Sequence, residues 1–242
     1  MRAPDPAFAD PRLAVLYDEL DPDRSDLDAY VALVAEVGAR TVVDLGCGTG
    51  TLALLLAESG CDVVGVDPAS ASLDVARSKP GADRVTWVDG DATALAEVGV
   101  AADLAVMTGN VAQVFVSDED WSATLTAVRR SLRAEGWLAF ETRRPEVRDW
   151  EHWDVPPTRV VLAGGASVVV SRTVTEVALP LVTFDTATEV DGDVLRSRST
   201  LRFRDREEIE EDLPRHGYDV VDVRGAPDRP GKELVFLAHA RR

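Results

Sequence analysis

The sequence predicts a doubly wound α/β fold, a mostly parallel sheet carrying an antiparallel β insertion. Three observations predict it. Short Val-rich runs alternate with helix-period stretches from the first third of the chain to about Phe140. A glycine-rich turn through Gly46, Gly48 and Gly50 stands at the first junction of that pattern. From about Val160 to Phe203 the pattern changes to Val- and Thr-rich alternation. Repeated βα units make parallel sheets with right-handed crossovers, whereas period-two alternation marks strands with one solvated face.

Taken in order, Ser25 is placed to cap a helix whose apolar positions Leu27, Tyr30, Val31, Val34 and Val37 follow helical spacing, and Gly38 ends it. Thr41 to Leu45 reads as a buried strand, the glycine turn follows, and Thr51 to Ser59 as a helix. Asp62 to Asp67 is a second strand with Ser70 to Lys79 as its helix, and Val85 to Asp89 a third strand. A fourth begins at Asp103, a helix runs from about Glu119 to Arg133, and a fifth strand covers Gly136 to Glu141. The altered stretch reads as three or four antiparallel strands with Asp191-Gly192 as a hairpin turn. A short helix from Arg206 to about Arg215 and strands beginning at Tyr218 and Glu233 close the chain. This divides it into a core over 1–145, an insertion over 146–204, and a segment over 205–242 that completes the core sheet.

With 242 residues the chain can bury a sizeable core without staples. Its two cysteines, Cys47 and Cys61, cannot build a disulfide framework. No signal-peptide pattern opens the sequence and no apolar run is long enough to cross a bilayer, so a cytoplasmic protein is expected. A formal charge of −17 opposes phosphate backbones, which argues against nucleic acid as partner. The stretch from Arg143 to Arg206 holds ten arginines and ten acidic residues, so the whole net charge lies outside it. That marks either a mixed solvated sheet or a face that meets substrate.

The chemistry centres on Asp44-Leu-Gly46-Cys47-Gly48-Thr-Gly50, where strand passes to helix. Glycines there permit positive φ and let N–H groups approach a ligand, and the helix start adds a favourable field. A dinucleotide fingerprint wants its third glycine at position 51, which is Thr. Asp67 ends the second strand 21 residues after Gly46, where a carboxylate can accept from both hydroxyls of a ribose.

The D-x-G-x-G-x-G spacing resembles the first motif of class I methyltransferases. The resemblance implies a seven-stranded Rossmann-like core binding S-adenosyl-L-methionine, through Asp44, Gly46, Cys47, Gly48, Asp67 and the adjoining Pro68. It also implies that Asp91, with Asp89 as competitor, receives the adenine amino group and that Ala92 donates its N–H to the ring. The fourth strand ends in Met107-Thr108-Gly-Asn110-Val-Ala-Gln113, where the family holds the ammonium of the methionine moiety and keeps its reacting centre. Neither an Asn-Pro-Pro-Tyr segment nor a pyrimidine-type cysteine nucleophile is present there. The layout is similar to bacterial small-molecule methyltransferases, including sugar N,N-dimethyltransferases, with an antiparallel insertion after the fifth strand. Asn110, Gln113, Arg143 and Trp153 are accordingly expected at the acceptor pocket.

Methyl transfer from a sulfonium mainly needs an acceptor held in line with water excluded, so no conspicuous catalytic side chain is required. His152 is the candidate base if the acceptor must lose a proton, against the reading of an exposed loop histidine. Tyr17, spaced with Leu13, Leu16 and Leu20, either packs in the core or closes over the cofactor, as related enzymes do. Trp150 and Trp153 either wall the pocket or anchor the insertion. No metal-ligand spacing is visible, and a metal-independent enzyme acting on a small-molecule N or O acceptor is expected, as monomer or homodimer. The rival readings are a non-catalytic S-adenosylmethionine binder and a nicotinamide-dependent oxidoreductase.

Overall fold

A computed structural model describes residues 3–241. Three four-residue helices open it, α1 (Pro6–Ala9), α2 (Pro11–Ala14) and α3 (Tyr17–Leu20), followed by α4 (Asp28–Val37). Prolines at the first turns of α1 and α2 suit positions whose N–H has no helical partner. Ser25 does not cap α4. It opens a 3-10 turn over Ser25–Leu27, and its own N–H donates to Asp23 Oδ1 at 3.1 Å. Asp23 therefore satisfies the exposed amide, and the helix proper begins three residues later than Ser25. Gly38 ends α4 at φ 66°, as its lack of Cβ allows.

The core alternates β1 (Thr41–Leu45), α5 (Thr51–Glu58), β2 (Asp62–Asp67), α6 (Ser70–Ser78), β3 (Val85–Asp89), α7 (Leu95–Val98), β4 (Ala102–Met107), α8 (Asp118–Ser131) and β5 (Leu132–Arg143). Then come β6 (Val155–Val161), β7 (Ser167–Ala178), β8 (Leu181–Val190), β9 (Asp193–Arg202), α9 (Arg206–Arg215), β10 (Tyr218–Gly225) and β11 (Glu233–Ala240). The seven-stranded sheet has order β10-β11-β5-β4-β1-β2-β3, with β11 alone running against the other six, and β6-β7-β8-β9 form a second, antiparallel sheet. Strand order reverses between β1 and β4, and a crevice opens there at the carboxyl ends of the strands.

Local chemistry explains the helix ends. Ser117 accepts the Asp120 N–H, three acids fill the first turn of α8, and Arg129 and Arg130 fill its last. The apolar side of α8 buries Trp121, Leu125 and Val128 against β4 and β5, with Trp121 edge-on to Phe140 at 5.6 Å. Asp205 caps α9 by accepting the Glu208 N–H. The opposite face of the sheet packs Leu33, Leu52, Leu56 and Leu104 together. β5 starts earlier than the apolar run suggests, because Glu135 at φ 64° lets Leu132 pair with Ala102 before Trp137 meets Leu104. The Asp191-Gly192 hairpin is observed, with φ of 53° and 88° and Val190 paired to Asp193. The first inserted strand begins at Val155, ahead of the alternation. Trp150, Val182 and Phe203 form a small core of their own where the second sheet leaves the first.

Candidate functional site

The site grows out of the β1–α5 turn. Gly46, Gly48 and Gly50 have φ of 75°, 53° and 78°, a region L side chains rarely occupy. Their tasks differ. A Cβ at Gly46 would strike the Val111 side chain, and one at Gly50 would strike Trp87 and Ala76. A Cβ at Gly48 would meet nothing within 4 Å, because Gly48 faces an open cleft. The Gly46 and Cys47 N–H groups both donate to the Val66 carbonyl, at 2.8 and 3.1 Å, which folds the turn over the end of β2.

Asp67, at that strand end, is tied to the same turn. Its Oδ2 accepts the Gly48 N–H at 2.8 Å and its Oδ1 the Ala69 N–H at 2.8 Å. Burial nonetheless outweighs these two bonds and raises its carboxyl above the ordinary range. Asp44 is 1% exposed and neither carboxylate oxygen has a partner. Burial, reinforced by the charge of Asp67, pushes the Asp44 carboxyl up to about 7. Burial likewise raises the Cys47 thiol far above the range of reactive cysteines.

These groups border a cavity of about 190 Å³. Tyr17, Asp44, Gly46, Cys47, Gly48, Asp67, Pro68, Asp91 and Thr108 all line it, whereas Ala92, 1% exposed, lies behind its wall. Asp91 Oδ1 is already engaged by the N–H and Oγ1 of Thr93. The amino-terminal segment closes one side through Pro4, Phe8, Tyr17 and Arg24, with the rings of Phe8 and Tyr17 5.8 Å apart. Ser72 Oγ donates to the Phe8 carbonyl at 2.9 Å, and the Ala7 N–H donates to Ser197 Oγ of β9 at 3.0 Å. Val111, Val114 and Phe115 form the wall beyond β4, and Thr200 of β9 completes it.

The residues expected at the acceptor pocket lie elsewhere. Asn110, Gln113 and Arg143 are joined in a buried network beside the cavity: Arg143 Nη1 donates to Gln113 Oε1 at 3.0 Å, and Asn110 Nδ2 to Glu233 Oε1 at 3.1 Å. The Arg143 guanidinium stands 5.1 Å from the centre of the Trp153 ring, whose N–H donates to Asp149. Trp150 and Trp153 both pack on Phe203, so they anchor the inserted sheet. His152 sits exposed in a 3-10 turn over Asp149–His152, outside the cavity lining.

Sequence reasoning missed Arg24 and Asp18. Arg24 is the one lysine or arginine among the described residues lining the cavity. Asp18 Oδ1 accepts from Thr49 Oγ1 at 2.6 Å and its Oδ2 pairs with Lys79 at 2.6 Å, which fastens α3 to the glycine turn. No local motif marks either residue, and both read as solvated charges in a run of Asp and Glu.

The arrangement fits S-adenosylmethionine. The open face at Gly48 admits a nucleoside beside Asp67, and the unpaired oxygens of Asp44 offer a buried anion to a cationic group. Residues 42–136 match the family described as methyltransferase domain. The cypemycin N-terminal methyltransferase of a Streptomyces species is 34% identical over 119 residues, which cover 49% of this chain and 48% of that relative. The match thus spans about half the length of the curated relative. Among solved structures, an S-adenosylmethionine-dependent methyltransferase from Clostridium acetobutylicum superposes with a TM-score of 0.78, covering 96% of this chain and 98% of that one at 17% identity. The sugar N-methyltransferase KedS8 from a Streptoalloteichus species gives 0.75, covering 94% and 92% at 18% identity. Fold and family match agree on this much: residues 42–136 carry a methyltransferase domain, and the chain as a whole shares the fold of solved S-adenosylmethionine-dependent methyltransferases that have a separate antiparallel sheet.

Proposed function

We propose that this protein transfers the methyl group of S-adenosylmethionine to a nitrogen of a small molecule. The observation that carries the reading is the charge of the cleft. Asp44, Asp67 and Asp91 line it, and among the described residues Arg24 is its one guanidinium. Such a lining favours cationic ligands and disfavours phosphorylated or nucleic-acid acceptors. Of the similar proteins named above, KedS8 is a sugar N-methyltransferase and the cypemycin enzyme an N-terminal methyltransferase, which supports nitrogen over oxygen.

In this reading Asp67 accepts from the ribose hydroxyls, Asp44 and the Thr108 backbone hold the ammonium, and Arg24 pairs with the carboxylate. Asp91 borders the adenine. S-adenosylmethionine, when bound, would supply a methyl on a sulfonium to the lone pair of an acceptor nitrogen in its neutral form, the carbon–sulfur electrons going to sulfur and the surplus proton of the methylated nitrogen to solvent. What the chain contributes is position and exclusion of water. The amino-terminal segment and β9 close the cleft, so the antiparallel sheet acts as cover on the acceptor side. The exposed position of His152 gives it no support as a base, and no metal is assigned a role. Among the described residues no helix is long and apolar enough to cross a membrane, and both cysteines are free thiols, which fits the cytoplasm.

The test is release of S-adenosylhomocysteine across matched panels of small amines and alcohols. Turnover confined to alcohols overturns the nitrogen assignment. Tight S-adenosylmethionine binding without turnover on any acceptor supports the non-catalytic binder instead.

A further inference from the structure

Two consecutive residues after β4, Gly109 and Asn110, have φ of 65° and 63°. Glycine occupies that region freely, and asparagine enters it more readily than most residues with a side chain. Asn110 is nonetheless placed so that its neighbours on both sides, Gly109 and Val111, line the cleft while its own side chain points away. Two buried glutamates hold it there. Glu141 Oε1 accepts the Asn110 N–H at 3.1 Å, and Glu141 Oε2 accepts from the Tyr30 hydroxyl at 2.7 Å. Glu233 Oε1 accepts from Asn110 Nδ2 and pairs with Arg229 at 2.8 Å and Arg143 at 3.4 Å.

Glu141 is 9% exposed and Glu233 2%. Burying carboxylates is costly, and apolar residues of similar volume would stabilise the region at least as well. Their value lies in direction. A carboxylate fixed by a second hydrogen bond holds an amide at one distance and angle, which apolar packing cannot do. Asn110 Oδ1 is buried without a partner, so the side chain is retained for its donor. The grip also reaches the inserted sheet. Arg143 binds Gln113, whose Nε2 donates to the Arg202 carbonyl at the end of β9.

We propose that Glu141 and Glu233 are positioning residues for methyl transfer, gripping Asn110 at its N–H and its side chain so that the Thr108–Val111 turn stands at a fixed distance from cofactor and acceptor. The inference rests on the methyltransferase reading of the cleft. It assigns Asn110, Gln113 and Arg143 to this frame and not to contact with the acceptor.

The experiment compares Glu141→Leu, Glu141→Gln and Tyr30→Phe for kcat and KM with the panel amine that wild type turns over fastest, for S-adenosylhomocysteine affinity, and for the amide resonance of Asn110. Glu141→Leu is expected to lower kcat about tenfold or more, the scale of a displaced reacting geometry, with a smaller change in acceptor KM. Glu141→Gln keeps an acceptor oxygen for the Asn110 N–H and recovers kcat to within about threefold of wild type. The Asn110 amide proton, downfield in wild type, moves upfield in Glu141→Leu and Tyr30→Phe. Unchanged kcat and an unmoved Asn110 resonance in a folded Glu141→Leu overturn the proposal. If that variant does not fold, an unmoved resonance and unchanged kcat in Tyr30→Phe overturn it equally. Failure of the wild type to bind S-adenosylhomocysteine refutes the methyltransferase reading by itself, and the Asn110 resonance still decides whether the grip exists.

Discussion

Asp67 holds the glycine turn through Gly48, whose N–H donates to the Asp67 carboxylate at 2.8 Å. The carboxylate proposed to accept from the ribose thus also fixes the backbone around it. Asp67→Ala removes both functions and is expected to weaken S-adenosylhomocysteine binding by about 1–3 kcal/mol, the cost of hydrogen bonds to a charged group. Asp67→Asn keeps an oxygen for one amide and should lose less. Calorimetric affinities that match wild type in both variants would remove Asp67 from the cofactor site.

Two glycines of the turn, Gly48 and Gly46, predict opposite failures. Gly48→Ala strains a left-handed backbone by about 1–2 kcal/mol but meets no protein atom, so it folds and loses ligand affinity. Gly46→Ala drives its Cβ into Val111 and is expected to fail first in thermal stability. Pairing Gly46→Ala with Val111→Ala should recover part of the melting temperature. Equal melting temperatures for Gly46→Ala with and without the second change would show that Val111 is not the obstacle.

Local pattern made the core legible and long-range contact did not. The βα alternation and the Asp191-Gly192 hairpin are set by periodicity and turn chemistry within ten residues, and both appear as expected. The glycine spacing pointed to the cofactor turn, but which glycine serves the ligand depends on Val111 and Trp87, distant in sequence. Ser25 had the right identity for a cap, yet Asp23 was better placed for the free amide. The network around Asn110 joins residues 30, 110, 141 and 233, and no window of sequence contains it.

Asp44 predicts a pH dependence. Its carboxyl, pushed up to about 7 by burial and the Asp67 charge, is partly protonated at neutral pH. A cationic ligand prefers the anion and lowers that pKa on binding. Affinity for S-adenosylhomocysteine is therefore expected to rise with pH up to about 7 and to level off above it, with a proton released on binding below that point. For the free protein the sign is opposite. The raised carboxyl contributes stability that is complete below about pH 4 and is lost as pH rises through 7. Asp44→Asn should stabilise the free protein at pH 8 by roughly 2–4 kcal/mol and flatten the affinity profile. Calorimetry in buffers of different ionisation enthalpy measures the proton. An unchanged slope in Asp44→Asn would assign the titration to another group.

The last prediction concerns release of the ligand. The amino-terminal segment walls the cleft through Phe8, Tyr17 and Arg24, so loosening it is expected to speed the departure of product. Asp18 is its tie to the glycine turn, accepting from Thr49 and pairing with Lys79, and the Ala7 N–H bonded to Ser197 is its tie to the antiparallel sheet. Burial opposes ionisation of Asp18, but Lys79 and Thr49 together hold its carboxyl below the ordinary range. The tie is therefore complete above about pH 4 and is lost only as pH falls through the depressed value, outside the window in which Asp44 titrates. Asp18 is one-third exposed, so solvent screens it, and Asp18→Ala should cost about 0.5–1 kcal/mol of closure. That is a two- to fivefold faster release of S-adenosylhomocysteine at any pH between 5 and 9. Ser197→Ala, which removes one neutral hydrogen bond, should act in the same direction and less. The two ties share no partner, so their effects on the release rate should add. Stopped-flow release rates unaltered in the double variant would mean that the segment opens by a route that breaks neither tie.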